Sequence, residues 1–403
     1  MLKSFKNNAA YDYGGACSFF LGEVIVLLVC QGLASVIATG AELAGASIAS
    51  NGDFNTAFMI FIQLAVLGYA FVFSKVRKKK FNFSYAVVDG KGPRVVDFVI
   101  PIFAAAIIMI GMYLPATWYG YFTQAIGIPP DFGSIELTTV SSIVMMVIAT
   151  TVCAPIVEET VYRGVLFHGL KSKQSVVKAA LLSALAFMMM HMNPLQVVYQ
   201  FALGLLAAFI VYRSGRLISS IILHAASNAL ALVISMTPLG GILSGCETWL
   251  TQNIAAAFFI TLGLFVFCGL ALFLLVRFGY DFKGTVDMFK KLFAGKKSKK
   301  PADESADAKE PASDNATVDA APTDEHKPLP KFCPHCGKML DGRFCGGCGY
   351  DTDNIGKPSE SKAIIEKYKD TGAKVKYWIG VGVCAVMFVI TLVTAIMSSH
   401  LPV

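Results

Sequence analysis

The sequence predicts an all-α polytopic membrane protein, and two observations carry that prediction. Of 403 residues, 55% are hydrophobic and only 15% are charged, where a soluble domain would carry about a quarter of its residues as Asp, Glu, Lys or Arg. Mean hydropathy is +0.60. The apolar residues are also gathered into runs close to the roughly 17–25 residues that cross a bilayer. Eight of these, near 16–38, 56–74, 97–115, 139–169, 175–192, 195–213, 217–237 and 254–276, form a predicted eight-span helical core, and a ninth C-terminal span follows at 377–397. The fifth and sixth are short, and Asn193-Pro194 breaks the chain between them. The first run is too long for the apolar part of a signal peptide and reads as a span.

The net charge of +7 is an orientation signal and does not imply a nucleic-acid partner, because the basic residues fall between the apolar runs. Lys3 and Lys6 precede the first span; Lys75, Arg77 and Lys78–Lys80 follow the second; Lys171, Lys173 and Lys178 follow the fourth; Arg213 and Arg216 follow the sixth. Lys or Arg is missing between Arg94 and Arg163 and from 238–253, so the loops at 116–138 and 238–253 are expected outside. The N-terminus, the loops at 75–96, 170–178 and 213–216 and the long segment after 277 are expected in the cytoplasm, and the C-terminus outside, in a multi-pass protein of the cell membrane.

Beyond the core, 278–331 is a basic and then acidic linker, expected to be disordered because it has too little apolar surface to offset the entropy of ordering. Residues 332–351 contain Cys333, Cys336, Cys345 and Cys348 as two C-x2-C pairs, the second Cys of each followed by Gly. Four thiolates close a tetrahedral zinc site, and so short a module needs its metal to fold. This stretch resembles the short zinc ribbons fused to many bacterial membrane proteins, and is expected to hold structural zinc in the cytoplasm. With no open coordination position it would take no part in catalysis; a protein partner is one use for it, a spacer another. A polar connector, 352–376, leads to the last span. The other six cysteines, Cys17, Cys30, Cys153, Cys246, Cys268 and Cys384, read as small buried hydrophobes.

The informative stretch is APIVEETVYRGVLF, 154–167. On a helix Glu159 and Arg163 are four apart, acid first, and can pair. Glu158 lies about 100° round the helix. A carboxylate within a bilayer costs at least ~2.5 kcal/mol, so Glu158 needs something polar to face. His191 ends the run LSALAFMMMH, and His224 stands in IILHAASNAL with Asn228 on the same face. Counted from the flanking basic residues, Glu158, His191 and His224 lie roughly 12–20 Å in from one side, so a carboxylate, two imidazoles and an amide can meet at one level. Such a set can hydrolyse: a carboxylate or imidazole takes a proton from water, and an imidazole and amide hold an oxyanion. Equally, one Glu and two His can ligate a divalent metal such as zinc, with a position left for water. Each histidine alone could be a packing residue, and Glu159-Arg163 alone a structural pair; the conjunction favours a site.

The elements EETVYR (158–163), FMMMH (187–191) and HAASN (224–228) resemble the EExxxR, FxxxH and HxxxN/B motifs of the CPBP family, the CAAX-protease and bacteriocin-processing intramembrane proteases also called Abi or Rce1-like. The resemblance covers about 95–237. It implies a membrane endopeptidase acting on membrane-embedded or lipid-anchored substrates. By it Glu158 and His191 would activate water, His224 and Asn228 would hold the oxyanion, Glu159 with Arg163 would brace the site, and Phe187 would pack beside it. The family carries both a metal-dependent and a metal-free reading. Residues 1–277 are then the protease core. The alternatives are a catalytically silent immunity or interaction protein docking through the ribbon, and a proton-coupled transporter, although no repeated halves are visible. Since every candidate catalytic residue precedes Lys300, a chain ending there is expected to stay competent.

Overall fold

The computed structural model describes residues 11–46, 48, 51–77, 93–129, 134–281 and 360–398. The four ribbon cysteines and most of the linker and connector lie outside them. By its contacts the chain divides into two units, 1–286 with 369–403, and 287–368; the account below is of the first.

The helices are α1 (Tyr13–Leu43), α2 (Gly52–Val76), α3 (Val96–Ala125), α4 (Val140–Lys171), α5 (Val176–Met190), α6 (Val197–Ser214), α7 (Leu217–Met236), α8 (Leu239–Gln252), α9 (Ile254–Gly279) and α10 (Glu360–Ser398). Among the described residues there is no strand. Eight helices, α1–α4, α6, α7, α9 and the 369–397 part of α10, are long and apolar enough to cross a membrane, and α5 is a shorter apolar helix of 15 residues. The protein is a polytopic all-α membrane protein, with α5 as the short fifth element that the break at Asn193-Pro194 foreshadowed. Its outer faces carry large apolar side chains such as Val36, Phe61, Phe103, Val144 and Phe267, as lipid requires.

Local chemistry sets the helix ends. Asp12, Asn51 and Ser175 cap α1, α2 and α5 by accepting from Gly15, Phe54 and Lys178 N–H groups, and Thr139 with Ser142 forms a capping box at α4. Gly215, at φ 72°, ends α6 in the left-handed conformation that favours glycine. Two stretches expected as loops are partly helical: α3 runs on to Ala125, and α8 fills most of 238–253.

The buried residues form two clusters. One joins α1, α2, α4, α5, α6 and α10 around Phe19, Phe20, Tyr162, Phe167, Phe187 and Tyr377. The other joins α3, α6, α7 and α9 around Ile100, Ile108, Leu203, Ile210, Leu223 and Val276. α4 and α7 meet between them. At one end of the bundle Asp97, with no exposed side-chain surface, pairs with Arg94 at 3.0 Å and Arg216 at 3.2 Å. These two arginines, read from sequence as orientation charges, also tie α3 to the start of α7.

The last helix is part of this core. Tyr377 donates to the Leu182 carbonyl at 2.7 Å, Lys376 reaches Ser18 at 3.0 Å, and Cys384 is wholly buried. The helix begins at Glu360, well inside the segment expected to be a polar connector.

Candidate active site

The site is built on an irregular helix. α4 is α-helical over Val140–Ile148, widens to a π-helix over Ala149–Cys153, returns to α over Ala154–Glu159 and widens again over Thr160–Phe167. Pro155 explains the first widening: it has no N–H for the turn before it and its ring crowds that turn. Each π-turn re-aims the side chains that follow it, a device common at functional sites.

Glu159 and Arg163 pair at 2.9 Å, both with no exposed side-chain surface. The same oxygen of Glu159 accepts from His224 Nδ1 at 3.0 Å, so one carboxylate joins α4 to α7. The Arg163 guanidinium lies over the Phe187 ring, 4.3 Å from its centre. That ring also stands edge-on to His191, His224 and Tyr162, at 4.7, 5.7 and 5.4 Å between centres. Gly204 of α6 leaves the room: a Cβ there would come within 3.2 Å of both Arg163 Nη2 and the Ala184 backbone.

Glu158 takes a different environment. Its Oε1 accepts from Gln63 Nε2 of α2 at 2.9 Å. Its Oε2 is buried without a hydrogen-bond partner, and stands 4.0 Å from His191 Nε2 and 4.0 Å from His224 Nε2. The far nitrogens are fixed: His191 Nδ1 faces the Phe187 carbonyl at 2.8 Å, and His224 Nδ1 faces Glu159. Both Nε2 atoms are therefore turned to Glu158. Asn228 is half-buried on the same face of α7 as His224, and its amide donates to the Thr150 carbonyl, within the first π-turn, at 2.7 Å. Of the residues singled out from sequence, the structure brings Glu158, His191 and His224 to one point, sets Glu159, Arg163 and Phe187 behind them, and turns one N–H of Asn228 to the backbone.

Two further polar residues belong to this neighbourhood. Gln63 is one. The other is Glu23 of α1, buried, facing the Tyr162 hydroxyl and close enough to Glu158 for the two carboxylates to feel each other's charge. Both were visible as lone polar residues within apolar runs, FMIFIQLAVL and FFLGEVIVLL.

Would the three converging groups hold a metal? Tetrahedral zinc at about 2.0–2.1 Å from each donor keeps donor atoms about 3.4 Å apart. At a spacing of 4.0 Å, an ion at that bond length would see Glu158 and either histidine nearly opposite one another, about 155° apart. A water hydrogen-bonded at about 2.8 Å to Glu158 and to either histidine sees that pair at about 90°. The residues as placed fit water and do not fit tetrahedral zinc. Among the described residues no three His, Cys, Asp or Glu side chains stand at metal-binding spacing.

Residues 140–230 match the family described as Type II CAAX prenyl endopeptidase Rce1-like. The match runs from the start of α4 into α7 and contains all seven side chains predicted to act at or brace the site, Glu158, Glu159, Arg163, Phe187, His191, His224 and Asn228. It is narrower than the 95–237 expected from the motifs. The chain is also 24% identical over 138 residues to "Putative membrane peptidase YdiL" of Bacillus subtilis (strain 168). That alignment takes in 34% of this chain and 57% of the relative, so the chain spans a little over half the length of the curated protein it matches. No solved structure matches it. The Rce1-like match and the relative support an intramembrane protease at the level of family. α1–α3, Gln63 and Glu23 included, and everything after 230 lie outside the Rce1-like match.

Proposed function

We propose that this protein is an intramembrane endopeptidase that hydrolyses peptide bonds in membrane-embedded or lipid-anchored proteins. The observation that carries the reading is the meeting of one unpartnered carboxylate oxygen with two imidazole nitrogens at 4.0 Å each, within an apolar bundle. The family match over the same residues supports the reaction class.

In this reading a water among the three donates one proton to Glu158 Oε2 and is oriented by His191 Nε2, which is an acceptor because Nδ1 donates to the Phe187 carbonyl. Attack on the substrate carbonyl places negative charge on its oxygen. His224, when protonated, donates Nδ1–H to Glu159 and Nε2–H to that oxyanion, with the second N–H of Asn228 beside it. Glu158 then returns its proton to the leaving amine. General base catalysis is worth about 10²–10⁴ in rate and an oxyanion donor about 10²–10³. Gln63 holds Glu158 Oε1 so that Oε2 faces the histidines.

We also propose that Cys333, Cys336, Cys345 and Cys348, outside the described residues, bind one structural zinc in a ribbon that docks a protein partner, and that this ribbon and the N-terminus face the cytoplasm. The positive-inside bias supports the orientation. The test of function compares membrane-peptide proteomes of cells carrying wild-type protein or Glu158→Gln. Substrates should persist uncut with the variant, and identical proteomes would overturn the assignment.

A further inference from the structure

α3, α6 and α9 enclose an apolar trough of two lobes, with volumes of 510 and 840 Å³, that share Met112, Ala202, Leu205 and Phe265 as walls. Along α9 its lining extends from Phe258 to Arg277, nineteen positions or about 28 Å, well beyond the ~15 Å half-thickness of a bilayer core. The charge is confined to one end. There Arg213 donates to the carbonyls of Val276 and Arg277, at 3.4 and 2.7 Å, which brings it beside Arg277. Those carbonyls carry no net charge, and among the described residues neither arginine pairs with a carboxylate. Lys171 stands over the neighbouring Tyr212 ring, 5.2 Å from its centre. Three cations thus gather at the mouth of an apolar channel, at the ends of α4, α6 and α9.

We propose that this trough binds one anionic glycerophospholipid, its phosphate on Arg213 and Arg277 and one acyl chain laid along α9 toward Phe258. The lining decides between a lipid chain and a peptide. An extended peptide would bring backbone N–H and C=O groups along a lining whose polar side chains, the arginines apart, are Trp118, Tyr212, Thr261 and Cys268, and each group left unsatisfied costs several kcal/mol in an apolar medium. The one hydroxyl on this stretch of α9, Thr261, is spent on the Phe258 carbonyl. An acyl chain asks for no partner. Basic pockets between spans recognise anionic headgroups by the same charge logic. Gly269 lines the channel midway, and a Cβ there would meet no atom within 4 Å, so the chain has room to pass. The inference does not depend on the protease reading.

The test uses full-length protein in mild detergent, with phosphatidylglycerol and phosphatidylcholine of matched chains as probes, read by native mass spectrometry. One phosphatidylglycerol should bind in preference to phosphatidylcholine. Arg277→Gln should weaken it about fivefold, the share of one basic residue near a headgroup. Gly269→Phe, which places a ring in the channel, should abolish retention while gel filtration stays unchanged. If Gly269→Phe does not fold, the Arg277→Gln measurement decides, since that side chain is exposed. Equal affinity for the two lipids, unchanged binding in Arg277→Gln, or a copurifying peptide or isoprenoid in the trough would each overturn the proposal.

Discussion

Arg163→Met is the sharpest probe of what holds the site together. The change keeps an unbranched apolar stem over Phe187 and removes the charge. In the wild type Glu159 has no exposed surface and one cationic partner, Arg163 at 2.9 Å; its remaining contact is the His224 nitrogen. Without Arg163 a carboxylate is left uncompensated in low dielectric, which costs about 3–5 kcal/mol for a buried pair. The loss should appear as a fall of several degrees in the apparent melting temperature of the purified protein in detergent, together with loss of cleavage. The double variant Glu159→Gln with Arg163→Met removes both charges and keeps an acceptor for His224 Nδ1. Its stability should return to near wild type, since buried pairs replaced by neutral groups of similar volume are often no less stable. Its activity should stay about tenfold down, because the hydrogen bond to a charged acceptor, worth about 1.5–3 kcal/mol, becomes one to a neutral acceptor worth about 1 kcal/mol. A single variant as stable as wild type would refute the energetic argument. A double variant with full activity would show that the Glu159 charge does nothing at His224.

Glu158→Gln, His191→Ala and His224→Ala should each lower single-turnover cleavage in nanodiscs by about 10²–10⁴ while inserting and expressing normally. Gln63→Ala should cost about ten- to a hundredfold, as for a hydrogen bond to a charged group, in kcat more than in KM, and a Gln63→Ala enzyme with wild-type kcat would remove Gln63 from the site. Chelator treatment should release one zinc per chain, measured by metal analysis, and leave cleavage intact, and Cys333→Ser with Cys336→Ser should do the same. A chain ending at Lys300, expected from sequence to stay competent, should lose stability, because it lacks the buried Tyr377 and Cys384 and the Tyr377–Leu182 hydrogen bond; unchanged thermal stability would place α10 outside the core.

Much of this was legible because a bilayer is an unforgiving solvent. Long apolar runs announce spans, and a charge within a run announces a partner, which is how Glu158, His191 and His224 could be expected at one level. The same rule, applied evenly, would have marked Glu23 and Gln63, each a lone polar side chain in an apolar run. Each stands alone in its run, with no charged residue at helical spacing to mark a pair. The π-turns of α4 were not legible in periodicity, since a run apolar on nearly every face has no stripe whose phase an extra residue could shift; only Pro155 hinted at them. Nor was the docking of α10, which depends on small residues such as Ala373, Gly380 and Cys384 fitting against α1 and α5. Packing of that kind is a property of surfaces brought together by the whole fold, and no run of sequence carries it.

The adjacent carboxylates show how the two kinds of information divide. Glu158 and Glu159 are the same residue one position apart, and sequence separated them only by the spacing to Arg163. The structure separates them by charge balance. Glu159 has its charge met by a guanidinium and shares that same oxygen with His224, so taking a proton would cost it the pair. Glu158 has a neutral amide on one oxygen and no cation at hydrogen-bond distance, and its other oxygen faces two imidazoles across a gap that suits a water. A base must be able to accept a proton without dismantling its own support, and of the two only Glu158 meets that condition. The division of labour proposed for the pair follows from that asymmetry.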